Sequence, residues 1–152
     1  MSALPRHVLF VCTHNSARSV LAEGLLGRLG SGRWIGHSAG SHPSGRVNPF
    51  ALDVLRSRGC SLDDVRSKHW ESFSGPDAPA MDYVVTVCDN AAGEVCPVWP
   101  GNPMQLHWGF ADPSAIGDDD QARRAAFEDT AGQIAARIQS FLAEVEASSA
   151  SA

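Results

Sequence analysis

An unbroken apolar run, His7 to Cys12, stops at the polar loop Thr13 to Ala17, and at Arg18 the pattern becomes helical. No other stretch constrains the fold as strongly. Strands that are apolar without alternation are buried on both faces, as in parallel sheets. From Arg18 to Leu29 the residues Val20, Leu21, Leu25, Leu26 and Leu29 recur at helical spacing, and Gly30 with Gly32 ends the helix. A strand-loop-helix opening of this kind implies a second strand returning parallel to the first.

The rest of the chain continues the alternation. Residues 33 to 38 read as the second strand, leading into the loop Ala39 to Pro43. Pro49 to Arg58 is a helix by its punctuation, with proline at its start and Gly59 just after it. Ser67 to Phe73 reads as a short helix and residues 75–79 as a loop. Tyr83 to Cys88 is a β-branched strand. Residues 91–102, with two prolines and few apolar side chains, read as a mobile segment, and Met104 to Trp108 as a fourth strand. From Asp118 to Val145, Phe127, Ala131, Ile134, Ile138, Phe141, Leu142 and Val145 mark one face of a long helix, with Asp118-Asp119-Asp120 as its solvated start. The expected fold is α/β: one three-layer domain over residues 1–146, a four-stranded parallel sheet flanked by helices, and a frayed tail over 147–152. A chain of 152 residues is large enough for one such core. In these sheets ligands sit beyond the carboxyl ends of the strands, where Cys12 and Cys88 both fall.

The formal charge of −5, with no Lys/Arg run, excludes a broad nucleic-acid footprint, so any anion must be bound locally. The His7–Cys12 run is too short for a secretory or membrane-spanning segment, and the protein reads as cytoplasmic with no membrane partner. Four cysteines in a core of this size are not a disulfide scaffold. The absence of any Cys-x2-Cys pair argues against structural zinc. Cys60, after Gly59 at a helix end, reads as a packed structural residue.

Chemistry concentrates in the loop Cys12-Thr13-His14-Asn15-Ser16-Ala17-Arg18-Ser19, with five residues between the cysteine and the arginine. A loop of this length wraps a tetrahedral anion with successive main-chain N–H groups, and the following helix points its positive end at the same spot. Thr13, His14, Asn15, Ser16 and Ala17 are thus the candidate anion cradle. Arg18 adds a two-pronged guanidinium fork. The same field favours the thiolate of Cys12 as nucleophile, and Ser19 can hydrogen-bond the sulfur. His14, His42 and His107 read as hydrogen-bonding or surface groups, Trp99 and Trp108 as packing residues.

Val8 through Ser19, then Ser38-Ala39-Gly40, then Asp112-Pro113, resembles the low-molecular-weight tyrosine phosphatase superfamily. Val87-Cys88-Asp89 to Val95-Cys96-Pro97, followed by His107-Trp108-Gly109-Phe110, resembles its thioredoxin-coupled arsenate reductase branch. The resemblance implies that Cys12 attacks arsenic while Asp112 protonates the departing oxygen. Cys88 then attacks Cys12, arsenite leaves, and Cys96 moves the disulfide onto the 88–96 segment, where a reductant reaches it. It implies no bound cofactor, and as partner thioredoxin, or glutaredoxin with a low-molecular-weight thiol. A plain tyrosine or small-phosphoester phosphatase is the alternative. It has no use for a second cysteine, and such phosphatases carry an aromatic residue where Ser114 follows the Asp-Pro. Packed small hydrophobes remain the other reading of Cys88 and Cys96. A third reading is a phosphate-binding module or a redox sensor built on Cys12.

Two departures stand out. Seven residues separate Cys88 from Cys96, one more than in the better-known members. Potassium-binding members hold the ion with an asparagine, a glutamate, a serine and an aspartate. Asn15, Glu23 and Ser38 match the first three, while Lys68 stands at the fourth position. Lys68 is either a surface lysine or an ammonium that replaces the cation beside Glu23, in which case no metal is bound.

Overall fold

The computed structural model describes residues 5–15, 17–30, 32–62, 65–73, 78, 80–87, 103–110, 113 and 118–150. Its elements are β1 (Arg6–Cys12), α1 (Arg18–Leu29), β2 (Trp34–Gly40), α2 (Pro49–Ser57), a 3-10 turn (Trp70–Phe73), β3 (Tyr83–Thr86), β4 (Met104–His107) and α3 (Asp120–Ala150). The strands form one parallel sheet in the order β2-β1-β3-β4. The expected four-stranded parallel α/β architecture is the one observed.

This order places β1 between the strand that follows it and the next one along, so the chain reverses its winding direction at β1 and β3. Crevices open at such points beyond the carboxyl ends of the strands, and Cys12 is the last residue of β1. Val87, just past β3, donates its N–H to Val11 O at 2.9 Å, so the end of β3 is tied to the residue before Cys12.

One face of the sheet is covered by α1 and α3. Phe141 of α3 meets Trp34, Tyr83 and Trp108 with ring centroids 5.4, 4.9 and 5.4 Å apart. Phe10 reaches the same cluster through Trp108, and the Arg137 guanidinium caps that indole at 4.8 Å. On the opposite face His37 packs against Phe73 of the 3-10 turn. The helix α1 departs from the one-sided pattern that its spacing implies: every residue from Ser19 to Leu26 is buried, Glu23 and Gly24 included. A Cβ on Gly24 would meet the Leu55 side chain of α2 at 2.7 Å, so a larger residue there would require Leu55 to shift.

Several boundaries differ from the sequence reading, each for a local reason. Strand β2 runs on through Ala39 and Gly40, expected as loop, because Val11 and Cys12 of β1 keep them in register. Residues 67–69 are not helical. Lys68 O accepts from Gly40 N at 2.8 Å and His69 bridges to Gly40, so that main chain is committed to the end of β2 and only Trp70–Phe73 turns. Helix α2 starts at an unforeseen cap, Asn48, whose side chain accepts from Phe50 N at 2.9 Å. Helix α3 starts two residues later than expected, where Asp119 Oδ1 accepts from Ala122 N at 2.8 Å, and its backbone stays helical to Ala150. The expected mobile segment 91–102 and most of the expected loop 75–79 lie outside the described residues.

Because Phe141 joins α3 to three strands' worth of aromatic surface, Phe141→Ala should lower unfolding free energy by about 3–5 kcal/mol, read from urea denaturation. A loss below about 1 kcal/mol would show that the cluster closes over the gap.

Candidate active site

Cys12 ends β1 as a buried thiol, 4 % exposed, and the loop that follows it turns back at Asn15. Asn15 is the one described residue other than glycine with a left-handed backbone, at φ 49°. Such a conformation costs on the order of 1–2 kcal/mol outside glycine and has to be held in place. Asn15 is fully buried, and both ends of its amide are used. Oδ1 accepts from Lys68 N at 2.7 Å, and Nδ2 donates to Ser19 Oγ at 2.8 Å. An accepting hydroxyl keeps its own proton to donate, so Ser19 remains able to serve a neighbouring sulfur.

The loop is pressed against the end of β2. A Cβ on Gly40 would lie 2.5 Å from Thr13 O, 2.8 Å from Cys12 O and 3.0 Å from Asn15 N, all backbone atoms that cannot swing aside. The glycine of Ser38-Ala39-Gly40 is therefore a requirement of the loop's path. Thr13 O in turn accepts from His42 N at 2.9 Å, and His14 O from Ser44 N at 3.0 Å.

Arg18 opens α1 behind Ala17, a residue with no polar side chain to cap the helix. Its Nη1 donates to Phe110 O at 3.0 Å, joining the loop to the segment that continues β4 along β3. That segment is held by Trp108 N to Thr86 O at 2.8 Å and Phe110 N to Val87 O at 3.3 Å.

Behind the loop lies a buried carboxylate. Glu23, on the enclosed part of α1, accepts from Ser38 Oγ at 2.5 Å, and the Lys68 ammonium stands 3.7 Å from the same oxygen. Of the two readings of Lys68, the inward one describes the structure: its side chain is 19 % exposed and that of Glu23 8 %. Asn15, Glu23, Ser38 and Lys68 are thus brought together. Among the described residues no cluster of three or more histidine, cysteine or carboxylate side chains is arranged to hold a metal ion.

Of the residues singled out in the sequence, Cys12, Thr13, His14, Asn15, Ala17, Arg18 and Ser19 form this loop, while Ser16, Cys88, Cys96, Asp112 and Ser114 lie outside the described residues. His14 Nδ1 lies 3.2 Å from His42 O, His42 Nδ1 3.0 Å from Ser41 Oγ, and His107 Nδ1 2.7 Å from Thr86 Oγ1. Burial raises the Cys60 thiol above its ordinary range despite the opposing pull of Arg28 and Arg58, so this cysteine stays protonated. Sequence reasoning did not single out Ser67 or the main chain of His42 and Ser44. The composition around His42 and Ser44 signals a loop without naming its partner, and Ser67 reads only as the start of an expected short helix.

A model of the family described as low molecular weight phosphotyrosine protein phosphatase matches residues 7–151. An arsenate reductase of Halalkalibacterium halodurans is 34% identical over 134 residues, covering 88% of this chain and 93% of that protein. Among solved structures, a thioredoxin-dependent arsenate reductase of Corynebacterium glutamicum superimposes with TM-score 0.68 at 27% identity. It covers 97% of this chain, which spans 65% of that longer one. A low molecular weight protein tyrosine phosphatase of T. tengcongensis gives TM-score 0.65 at 21% identity, over 91% of this chain and 99% of that one, a likeness of fold.

If Gly40 is bare because the loop presses on it, Gly40→Ala should displace the Thr13–Asn15 backbone. Inorganic phosphate should then bind at least about tenfold more weakly by calorimetry, with the far-ultraviolet circular dichroism spectrum unchanged.

Proposed function

Because the chain belongs to the low molecular weight phosphotyrosine protein phosphatase family, we propose that it uses this loop to reduce arsenate to arsenite. The observation that carries the reading is the loop itself: a buried cysteine at a strand end, a backbone held in a left-handed turn at Asn15, and Arg18 at a helix start with no side-chain cap. The named relatives favour arsenate as substrate over a phosphoester.

In this mechanism arsenate sits in the cradle of Thr13 to Ala17 with Arg18 on its oxygens. The Cys12 thiolate bonds to arsenic, and the displaced oxygen leaves as water after Asp112 protonates it. Cys88 then attacks the Cys12 sulfur. The sulfur-arsenic bond breaks with its electron pair going to arsenic, which departs as arsenite, and a Cys12-Cys88 disulfide remains. Ser19 hydrogen-bonds the Cys12 sulfur. Cys96 attacks Cys88, releases Cys12 as thiolate and leaves a Cys88-Cys96 disulfide for an external dithiol. Per turnover two thiols become one disulfide while arsenic gains two electrons. The reductant in this reading is thioredoxin, with glutaredoxin and a low-molecular-weight thiol as the other source. The reaction belongs in the cytoplasm, where such reductants operate. Among the described residues no helix is long and apolar enough to cross a membrane.

Phosphoester hydrolysis by Cys12, Arg18 and Asp112 alone is the second reading, favoured by the family's own description. Reduced protein mixed with arsenate and no external reductant separates the two. One arsenite released and two thiols lost per chain are expected, and Cys88→Ser should stop at the adduct while aryl phosphate hydrolysis continues. Arsenite release that survives Cys88→Ser unchanged would overturn the relay.

The Lys68 ammonium fills the role of a counter-ion to Glu23, so the enzyme binds no metal. Turnover should be the same in potassium and in choline buffers. Lys68→Met should destabilise the fold by about 1–3 kcal/mol, because Glu23 loses its counter-ion while keeping the Ser38 hydroxyl. A wild-type rate that rises severalfold on adding potassium would refute this.

A further inference from the structure

A main-chain loop presents its amides to an anion only if its carbonyls are turned the other way. In a trans peptide the C=O of one residue and the N–H of the next point in opposite directions. Whatever fixes the carbonyl therefore aims the following amide. His42 N fixes Thr13 O, and the N–H of His14 faces away from it. His14 O is fixed twice, by Ser44 N at 3.0 Å and by the Ser67 hydroxyl at 3.2 Å, so the N–H of Asn15 faces away from both.

Ser67 is unusual among these partners because a side chain supplies the bond. Its Oγ donates to His14 O and accepts from Gly45 N at 3.1 Å, so one hydroxyl joins the loop to the 41–46 turn. Gly45 has a left-handed backbone, φ 81°, and the Ser44 hydroxyl bridges Arg46 N and Arg46 O around it. The next residue anchors Ser67 firmly. Lys68 donates its N–H to Asn15, accepts from Gly40 N at its carbonyl, and sets its ammonium 3.7 Å from Glu23 while donating from it to Arg66 O at 3.1 Å.

We propose that Ser67 is a positioning residue for oxyanion binding, whose hydroxyl orients the His14-Asn15 peptide so that its amide faces the anion. The proposal rests on the reading of this loop as an oxyanion cradle and adds to it a residue that touches neither the anion nor the reacting sulfurs. Removing the hydroxyl leaves His14 O with a single partner and Gly45 N–H with none of its present bond. The cost falls on anion affinity, because the thiol steps themselves do not involve Ser67.

The test is titration of the reduced protein with inorganic phosphate, which the loop holds without reducing it, followed by arsenate kinetics. Ser67→Ala should weaken phosphate binding about five- to tenfold, the scale of one hydrogen bond. The KM for arsenate should rise in proportion while kcat stays within about twofold. Ser67→Thr, which keeps the hydroxyl, should bind phosphate as wild type does. If Ser67→Ala does not fold, Ser67→Cys keeps the volume with a much weaker donor and should show the same loss. Phosphate affinity unchanged in Ser67→Ala, or reduced equally in Ser67→Thr, overturns the assignment while leaving the cradle intact. Wild-type protein that fails to bind phosphate overturns the cradle and the assignment together.

Discussion

In the proposed reading the loop after Cys12 holds an anion with its amides, which requires its carbonyls to be taken up elsewhere, and the contacts around Cys12 meet that demand. Thr13 O and His14 O are taken up from outside by His42, Ser44 and Ser67. The turn at Asn15 is held from behind by Lys68 N and Ser19 Oγ. Gly40 supplies the clearance that lets the loop lie against β2. Each contact is ordinary in strength, about 1 kcal/mol net. Their joint effect is to fix the main chain of the loop, which in the proposed reading leaves its donors in place before an anion arrives.

The second demand is electrostatic. Helix α1 enters the core with its first two turns enclosed, and Glu23 goes in with them. An isolated carboxylate there would be costly, and the Ser38 hydroxyl and the Lys68 ammonium share the burden. The lysine that answers this charge is the one whose main chain steadies Asn15. Neutralising the interior and shaping the loop are therefore tasks of one short segment, residues 67–69.

How much of this was legible in the sequence depends on the range of the interaction. The passage from β1 through the loop to α1 shows plainly, because two periodicities meet at Cys12 and Arg18. The proximity of Lys68 to Glu23 is one of the two readings that the resemblance to potassium-binding relatives leaves open, and the structure decides between them. The continuation of β2 to Gly40 and the non-helical backbone at 67–69 leave no trace, since both come from main-chain bonds between distant segments. For the same reason Ser67 reads only as the first residue of an expected short helix. The enclosure of α1 was hidden as well: Gly24 lowers the helical signal, and the Leu55 side chain lying over it comes from a distant segment. The roles given to Cys88, Cys96 and Asp112 rest on chain order and family likeness.

The enclosure of α1 has a consequence for dynamics. A helix with no outward face over two turns cannot dock last onto a finished sheet or lift away by itself. Opening the loop at its N-terminus means disturbing packing that α1 shares with β2, α2 and α3. Main-chain amides of α1 should exchange with solvent on the timescale of global unfolding, so the helix opens only together with the core that carries it.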